Sequence, residues 1–377
     1  MKWIMHIDIN QFFAACAILK EPSLKGKPLI IASDTRRGIV STSTYEARKY
    51  GIYSGMPTYL AKKACKDVII RSVDFAFYHQ KSEEFFTYLK NNVTDVLEQV
   101  SIDEAYLDLT DILSYVTDKY GYLQSLQQRI FQVTKLQSSI GLANNKFLAK
   151  MGSDYKKPMG ITIITKDRIQ ELLYPLKIKD FWGIGKKTYP KLNEIGIYRI
   201  GDLAVNESPS LKKILGKFYD EVKAWIRGEG DDEVNPVQRE AKSISSTSTF
   251  LYDTSDYEEL RQMILQKSKE ISQGAKKDKK VGKTVTLILK DASFKSITRS
   301  ITLSEPTNDY VVIYDKAMEL FDKLFSSQLF RLAGVGLSSL TDEKDKYVQM
   351  TLLDAPKENK ASTKLLVKQL NHKVKKN

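Results

Sequence analysis

The chain is poor in the residues that build disulfide scaffolds and soft-metal centres. It has two cysteines, Cys16 and Cys65, and three histidines in 377 residues. That is too few for a disulfide framework or for a Cys- or His-rich metal site, and it suits a reducing cytosol. No apolar run approaches the roughly 18–20 residues of a membrane span. The opening Met1-Lys2-Trp3-Ile4-Met5-His6-Ile7-Asp8 meets an aspartate too soon for a signal peptide. A cytoplasmic protein without membrane attachment is expected. Any metal it binds must be held by carboxylates.

Apolar residues and lysine are plentiful. Hydrophobic residues make up 42% of the chain, enough for real cores, and the length calls for several domains. Fifty-nine Lys and Arg against 46 Asp and Glu leave a net charge of +13. This excess fits a polyanionic partner such as nucleic acid, and it equally fits a lysine-rich soluble protein. Composition leaves both open, so position along the chain has to decide.

The pattern predicts a short buried strand over 3–8, a helix over 11–20, and small elements over 23–74 punctuated by Gly and Pro. An amphipathic helix follows over 78–97, with Phe85, Phe86, Leu89, Val93, Val96 and Leu97 on one face. A hairpin then carries Asp103-Glu104 near its turn, before a helix with Leu123, Leu126, Ile130 and Val133 and a strand over 138–142. With 11–74 treated as an insertion, this is βαββαβ, a ferredoxin-like sheet. The expected organisation is an α+β multidomain chain. Residues 1–10 and 75–165 form one domain, interrupted by an inserted 11–74. A small helical region spans 166–230, an acidic linker 231–241, a second βαββαβ domain 242–340, and a lysine-ended tail 341–377.

A ferredoxin-like sheet sets its first and third strands side by side, so Asp8 can meet Asp103 and Glu104. Clustered carboxylates repel unless cations neutralise them, and hard oxygen ligands suit Mg²⁺. On spacing alone, Asp8 as a helix cap and Asp103-Glu104 as a solvated turn account for the same residues.

The strings themselves carry more. Ser101-Ile102-Asp103-Glu104-Ala105-Tyr106-Leu107-Asp108 resembles the S-x-D-E-A-Y-L-D signature of the Y-family, translesion DNA polymerases. Asp8-Ile9-Asn10-Gln11-Phe12-Phe13-Ala14 resembles that family's first metal motif, and Tyr45-Glu46-Ala47-Arg48-Lys49-Tyr50-Gly51 its fingers motif. Asn145-Lys146-Phe147-Leu148-Ala149-Lys150 and Lys157-Pro158-Met159-Gly160 resemble its last palm motif. The bacterial polymerase IV branch is the nearest in pattern.

The resemblance implies a palm at 1–10 and 75–165, fingers at 11–74, a thumb at 166–230 and a little finger at 242–340. It implies template-directed, low-fidelity DNA synthesis without proofreading. Two Mg²⁺ ions would be held by Asp8, Asp103, Glu104 and the Ile9 carbonyl. The incoming dNTP would meet Phe12, Phe13, Thr42, Tyr45, Arg48 and Lys157, with Phe13 as the steric gate against ribose and Ser41 and Gly55 roofing the nascent base pair. Many relatives have aspartate where this chain has Asn10, which removes a charge beside the metals.

Phe181-Trp182-Gly183-Ile184-Gly185-Lys186-Lys187 resembles a helix-hairpin-helix element, whose Gly183, Gly185, Lys186 and Lys187 would grip DNA backbone. A plain helical turn is the other reading. Lys242, Lys276, Lys277, Lys279, Lys280 and Lys283 form a basic group in the last domain, for DNA or as a solvated loop. Gln349, Leu352 and Leu353 resemble the peptide that docks bacterial polymerases on the sliding clamp, with a last edge strand as the alternative. A monomer bound to primer–template DNA is expected. Two rivals stand beside the polymerase: a silent DNA- and clamp-binding scaffold, and a two-metal repair nuclease.

Overall fold

The structure is a computed structural model that describes residues 2–237, 240–325 and 328–346. The chain divides into two compact units, Met1–Arg239 and Glu240–Asn377. Gln349, Leu352 and Leu353 lie outside the described residues.

The first unit opens with Ile4–Ile9 (β1), whose residues are almost all buried. Phe12–Lys20 (α1) follows, then the inserted elements Leu29–Ala32 (β2), Val40–Ser43 (β3), Tyr45–Arg48 (α2), Thr58–Ala64 (α3) and Ile69–Arg71 (β4). The three inserted strands make their own sheet in the order β3-β2-β4. Next come Phe75–Asn92 (α4), Leu97–Gln99 (β5), Glu104–Asp108 (β6), Thr110–Ser114 (α5), Lys119–Thr134 (α6), Ser138–Ala143 (β7), Lys146–Tyr155 (α7) and Ile161–Ile164 (β8). The main sheet runs β5-β6-β1-β7-β8. Its first four strands have the ferredoxin-like order, with β1 between β6 and β7. β8, parallel to β7, is an edge strand that the sequence reading did not anticipate.

One expected helix is shorter than its apolar spacing suggested. α4 begins where the Asp74 side chain accepts from Phe77 N and ends at Asn92. Val93, Val96 and Leu97 continue the i, i+3, i+4 pattern by coincidence. Leu97 is instead buried in β5, and Val96 is exposed.

The helical region contains Ile169–Leu172 (α8), Tyr189–Glu194 (α9), Ile200–Val205 (α10), Pro209–Leu215 (α11) and Tyr219–Ile226 (α12). It shares one core with the palm. Phe147 of α7 stacks on Trp225 of α12 at 4.7 Å, and Phe181 packs against both. The expected linker also begins later than residue 231. Val234 is buried in this shared core, the Lys146 N–H donates to the Asp231 carbonyl, and Lys146 Nζ reaches both Glu98 and Asp231.

The second unit consists of Ser243–Thr254 (β9), Tyr257–Lys277 (α13), Lys280–Asp291 (β10), Ser296–Thr307 (β11), Tyr310–Asp322 (α14) and Phe330–Asp342 (β12). Its antiparallel sheet runs β11-β10-β12-β9, so the same βαββαβ succession is wound in a different strand order from the first unit, with its first and third strands at opposite edges. β12 continues to Asp342, past the expected boundary at 340. Among the described residues no helix is long and apolar enough to cross a membrane.

Candidate active site

Strand pairing brings the three carboxylates together. β1 and β6 are antiparallel with Asp8 opposite Glu104, and the Ile9 N–H donates to the Asp103 carbonyl at 3.0 Å. Asp103 sits in the turn before β6, where its Oδ1 accepts from Ser101 Oγ at 2.6 Å. Burial raises its carboxyl to about 6, and the charges of Asp8 and Glu104 push the same way. Glu104 is held down at about 2. His6 Nε2 lies 3.5 Å from its Oε2, long for a hydrogen bond, whereas Lys150 Nζ is 2.8 Å from that oxygen. The Lys150 contact is the stronger of the two. Burial keeps His6 neutral, with its Nδ1 2.8 Å from Ser153 Oγ.

Two lysines of α7 and the loop after it close the site. Lys150 Nζ lies 3.4 Å from Asp8 and 3.5 Å from Asp154, besides Glu104. Lys157 Nζ is 2.8 Å from Asp8 Oδ1 and 2.8 Å from Asp154 Oδ1. The site therefore holds three carboxylates, Asp8, Glu104 and Asp154, in contact with two ammoniums, with Asp103 beside them on its Ser101 hydrogen bond. Lys150 and Asp154 were missed from sequence, although Lys150, Asp154 and Lys157 stand four and three residues apart, the spacing of neighbours on a helix face.

Among the described residues no group of three or more His, Cys, Asp or Glu is already arranged to hold a metal ion. The donor set still fits a hard divalent cation in kind. Asp8, Asp103 and Glu104 crowd one end of two paired strands, and ammonium groups stand beside Asp8 and Glu104. Ile9 is buried between Asp8 and Asn10, and its carbonyl oxygen is the atom of that residue able to ligate a cation.

The inserted elements bring the other expected residues to one side. Gln11 Oε1 accepts from Tyr45 N at 2.9 Å, tying the start of α2 to that of α1. The Arg48 guanidinium lies 4.7 Å over the Tyr45 ring and donates from Nε to the Ser43 carbonyl. The Tyr45 hydroxyl is buried with no hydrogen-bond partner. Burial raises its pKa, while Arg48 and Lys157 act in the opposite sense. Thr42 lies on β3 between exposed Ser41 and buried Ser43. The Gly55 N–H donates to the Val40 carbonyl, so Ser41 and Gly55 are neighbours, and Gly55 has φ +92°.

The two phenylalanines part company. Phe12 is buried in the palm core, so its ring cannot meet a nucleotide, which corrects the expectation for that side chain. Phe13 is half-buried, with its ring stacked on Tyr78 at 4.2 Å. Adjacent helical residues point about 100° apart, so Phe12 lies within the core while Phe13 packs at its margin.

The Gly183–Lys187 turn precedes α9 as expected, with Lys186 and Lys187 exposed. Gly183 has φ +94°, and a Cβ there would lie 2.8 Å from Phe218. Lys186 Nζ sits 4.9 Å over the ring of Tyr53 in the inserted domain.

In the second unit the lysines are spread over several elements. Lys276 and Lys277 end α13, and Lys279 occupies a left-handed turn at φ +53°. Lys280 is bound to Glu240 and Asp342, each at 2.9 Å. Lys242 and Lys283 are exposed. The sheet face away from the helices is built differently. Its register sets Ser243, Ser245, Thr247 and Thr249 beside Ser338, Gly336, Gly334 and Leu332. Thr284, Thr286, Ile288 and Lys290 come next, and then Thr302, Ser300, Thr298 and Ser296. At these positions the face is rich in hydroxyls and has no carboxylate. The alternation of Ser and Thr was legible in the sequence and went unread.

Comparisons with known proteins agree with this geometry. The impB/mucB/samB family matches residues 7–154, its C-terminal domain residues 241–352, and the family's HHH motif residues 166–197. DNA polymerase IV of Bacillus velezensis is 38% identical over 93% of this chain and 84% of its own length. DNA polymerase IV of Oceanobacillus iheyensis is 38% identical over 98% of this chain and 89% of its own. A solved Y-family DNA polymerase chimera superposes with a TM-score of 0.78 at 28% identity, covering 90% of this chain and 99% of that one. The paired strands with their three carboxylates, the inserted fingers and the second βαββαβ unit thus meet in one conclusion: the chain belongs to the impB/mucB/samB family of Y-family DNA polymerases, among relatives of the polymerase IV type.

Proposed function

We propose that this chain is a template-directed DNA polymerase of the translesion type, and that Asp8, Asp103 and Glu104 hold its divalent metal ions, two Mg²⁺ per site. The observation that supports the assignment is the β1–β6 pairing, which sets Asp8 opposite Glu104 with Asp103 in the adjoining turn and Lys150 and Lys157 against Asp8 and Glu104. Divalent cations bound there would activate the primer 3′-hydroxyl toward the α-phosphate and neutralise charge on departing pyrophosphate. Until a cation arrives, Lys150 and Lys157 neutralise Asp8 and Glu104, while Asp103 still feels their charge. Once Asp8 is balanced by a cation, Lys157 becomes available to the β- and γ-phosphates. Arg48 offers a planar fork to the same oxygens, and the unpartnered Tyr45 hydroxyl offers a hydrogen bond. Phe13, braced by Tyr78, would bar a 2′-hydroxyl with its ring, and the small Ser41 and Gly55 would leave room above a distorted base pair. Thr42 adds a hydroxyl beside them.

DNA would be held through its backbone. The Gly183–Lys187 turn offers N–H groups and two lysines to phosphate. The hydroxyl-rich face of the second unit suits a polyanion because it can donate many hydrogen bonds and repels none. Lys242 and Lys283 add charge at the surface of that unit. The reading extends to a monomer working in the cytoplasm and docked on a clamp through Gln349, Leu352 and Leu353.

Primer extension with single dNTPs, with and without Mg²⁺, tests the assignment. Templated elongation that requires the cation is expected. Shortening of the primer would make the chain a nuclease, and binding without reaction would make it a scaffold.

A further inference from the structure

Asn10 is the one residue of the first metal motif that departs from the pattern of many relatives, and the structure gives its side chain a task away from the carboxylates. It is 1% exposed. Its Oδ1 accepts from Met159 N at 2.8 Å, and its Nδ2 donates to Ser139 Oγ at 2.9 Å on β7. Ser139 Oγ also lies 3.3 Å from Oδ1. Met159 has φ +60°, a conformation that a non-glycine residue seldom adopts without being held. On its other side the Met159 carbonyl accepts from Gln127 Nε2 at 3.3 Å, and Gln127, itself buried, also donates to the Ser138 carbonyl at 2.8 Å. The left-handed residue is therefore gripped by its N–H and its carbonyl from two palm elements. Two positions before it stands Lys157, whose Nζ lies above Asp8.

We infer that Asn10 is a positioning residue for Lys157. Its carboxamide fixes the 157–160 loop so that the ammonium stands over the carboxylates, where the triphosphate end of the nucleotide must lie. Both ends of the amide are used, an acceptor for Met159 N and a donor for Ser139. This explains how asparagine serves next to the metal carboxylates without being a metal ligand. Removing the acceptor frees Met159 to leave its left-handed conformation, and Lys157 then loses its fixed origin. The inference rests on the proposed contact of Lys157 with the triphosphate.

A double-mutant cycle on full-length protein separates the two ideas, with dNTP KM and kcat measured at saturating primer–template. Lys157→Met alone should raise the dNTP KM at least tenfold. Asn10→Ala should raise it about three- to tenfold with a smaller change in kcat and unchanged DNA affinity. Asn10→Asp, which keeps the acceptor for Met159 N, should recover most of the loss. In the Lys157→Met background, Asn10→Ala should add less than twofold. If Asn10→Ala does not fold, judged by circular dichroism, Gln127→Met releases Met159 from its other side and takes its place in the cycle. An unchanged KM in Lys157→Met would remove the triphosphate role of that lysine. A normal Lys157→Met defect combined with a full, multiplicative Asn10 effect would instead leave the triphosphate reading standing and overturn the positioning role.

Discussion

Asp103 is ionised at neutral pH at some cost to the fold. With its carboxyl raised to about 6, the folded protein keeps a proton that the unfolded chain has already released. Between about pH 4 and 6 the native state binds more protons, so the contribution of this group to stability falls as pH rises through that window. Glu104, held at about 2, works the other way, and its contribution is lost as pH falls below the ordinary glutamate range. Asp103→Asn should therefore stabilise the metal-free protein at pH 7.5 by about 1–2 kcal/mol, measured by denaturant unfolding, with little gain at pH 4. The same variant should lose extension by at least ~10³-fold, a loss of roughly 4 kcal/mol of transition-state stabilisation. A variant that is neither stabilised nor inactive would remove Asp103 from the site. At the sugar, Phe13→Val leaves the Tyr78 face uncovered and should admit ribonucleotides far more readily than wild type, scored as the ratio of rNTP to dNTP incorporation. An unchanged ratio would place the gate on another side chain.

At the scale of elements, much of the palm was legible. β1 and β6 announce themselves as short apolar runs ending or starting in acid, and the βαββαβ succession is readable from the periods, although it does not fix strand order, since the second unit winds the same succession differently. Other features depend on neighbours that no local string records. The end of α4 was misplaced because Val93, Val96 and Leu97 prolong a helical spacing that β5 overrides. Phe12 and Phe13 are chemically identical, and only packing against the palm core separates them. Lys150 and Asp154 had readable spacing but no stated role until the strand pairing put Asp8 and Glu104 beside them. The second unit shows the limit most clearly, since counting lysines pointed to α13 and the turn after it, whereas strand register pointed to a hydroxyl face. The two surfaces can be told apart. Thr247→Glu, Thr286→Glu and Ser300→Glu together should weaken primer–template binding at least tenfold through repulsion of phosphate, measured by fluorescence anisotropy. Lys276→Ala with Lys277→Ala should change it less than threefold. The reverse order of effects would restore the helix end as the DNA grip.

For the whole molecule, a net charge of +13 makes DNA affinity a function of salt. Each phosphate contact should steepen the dependence of log K on log salt by about 0.9. Lys186→Ala with Lys187→Ala should flatten that slope by up to about 1.8 if both touch phosphate, and an identical slope would make the hairpin lysines bystanders. The cysteines bear on the molecule in a different way. Both are free and buried, and burial pushes the Cys16 thiol up to about 12, so it presents no thiolate at neutral pH. Oxidants that scar a template also attack exposed thiolates. An enzyme meant to copy scarred templates would work while those oxidants are present, and this chain keeps both of its sulfhydryls out of their reach.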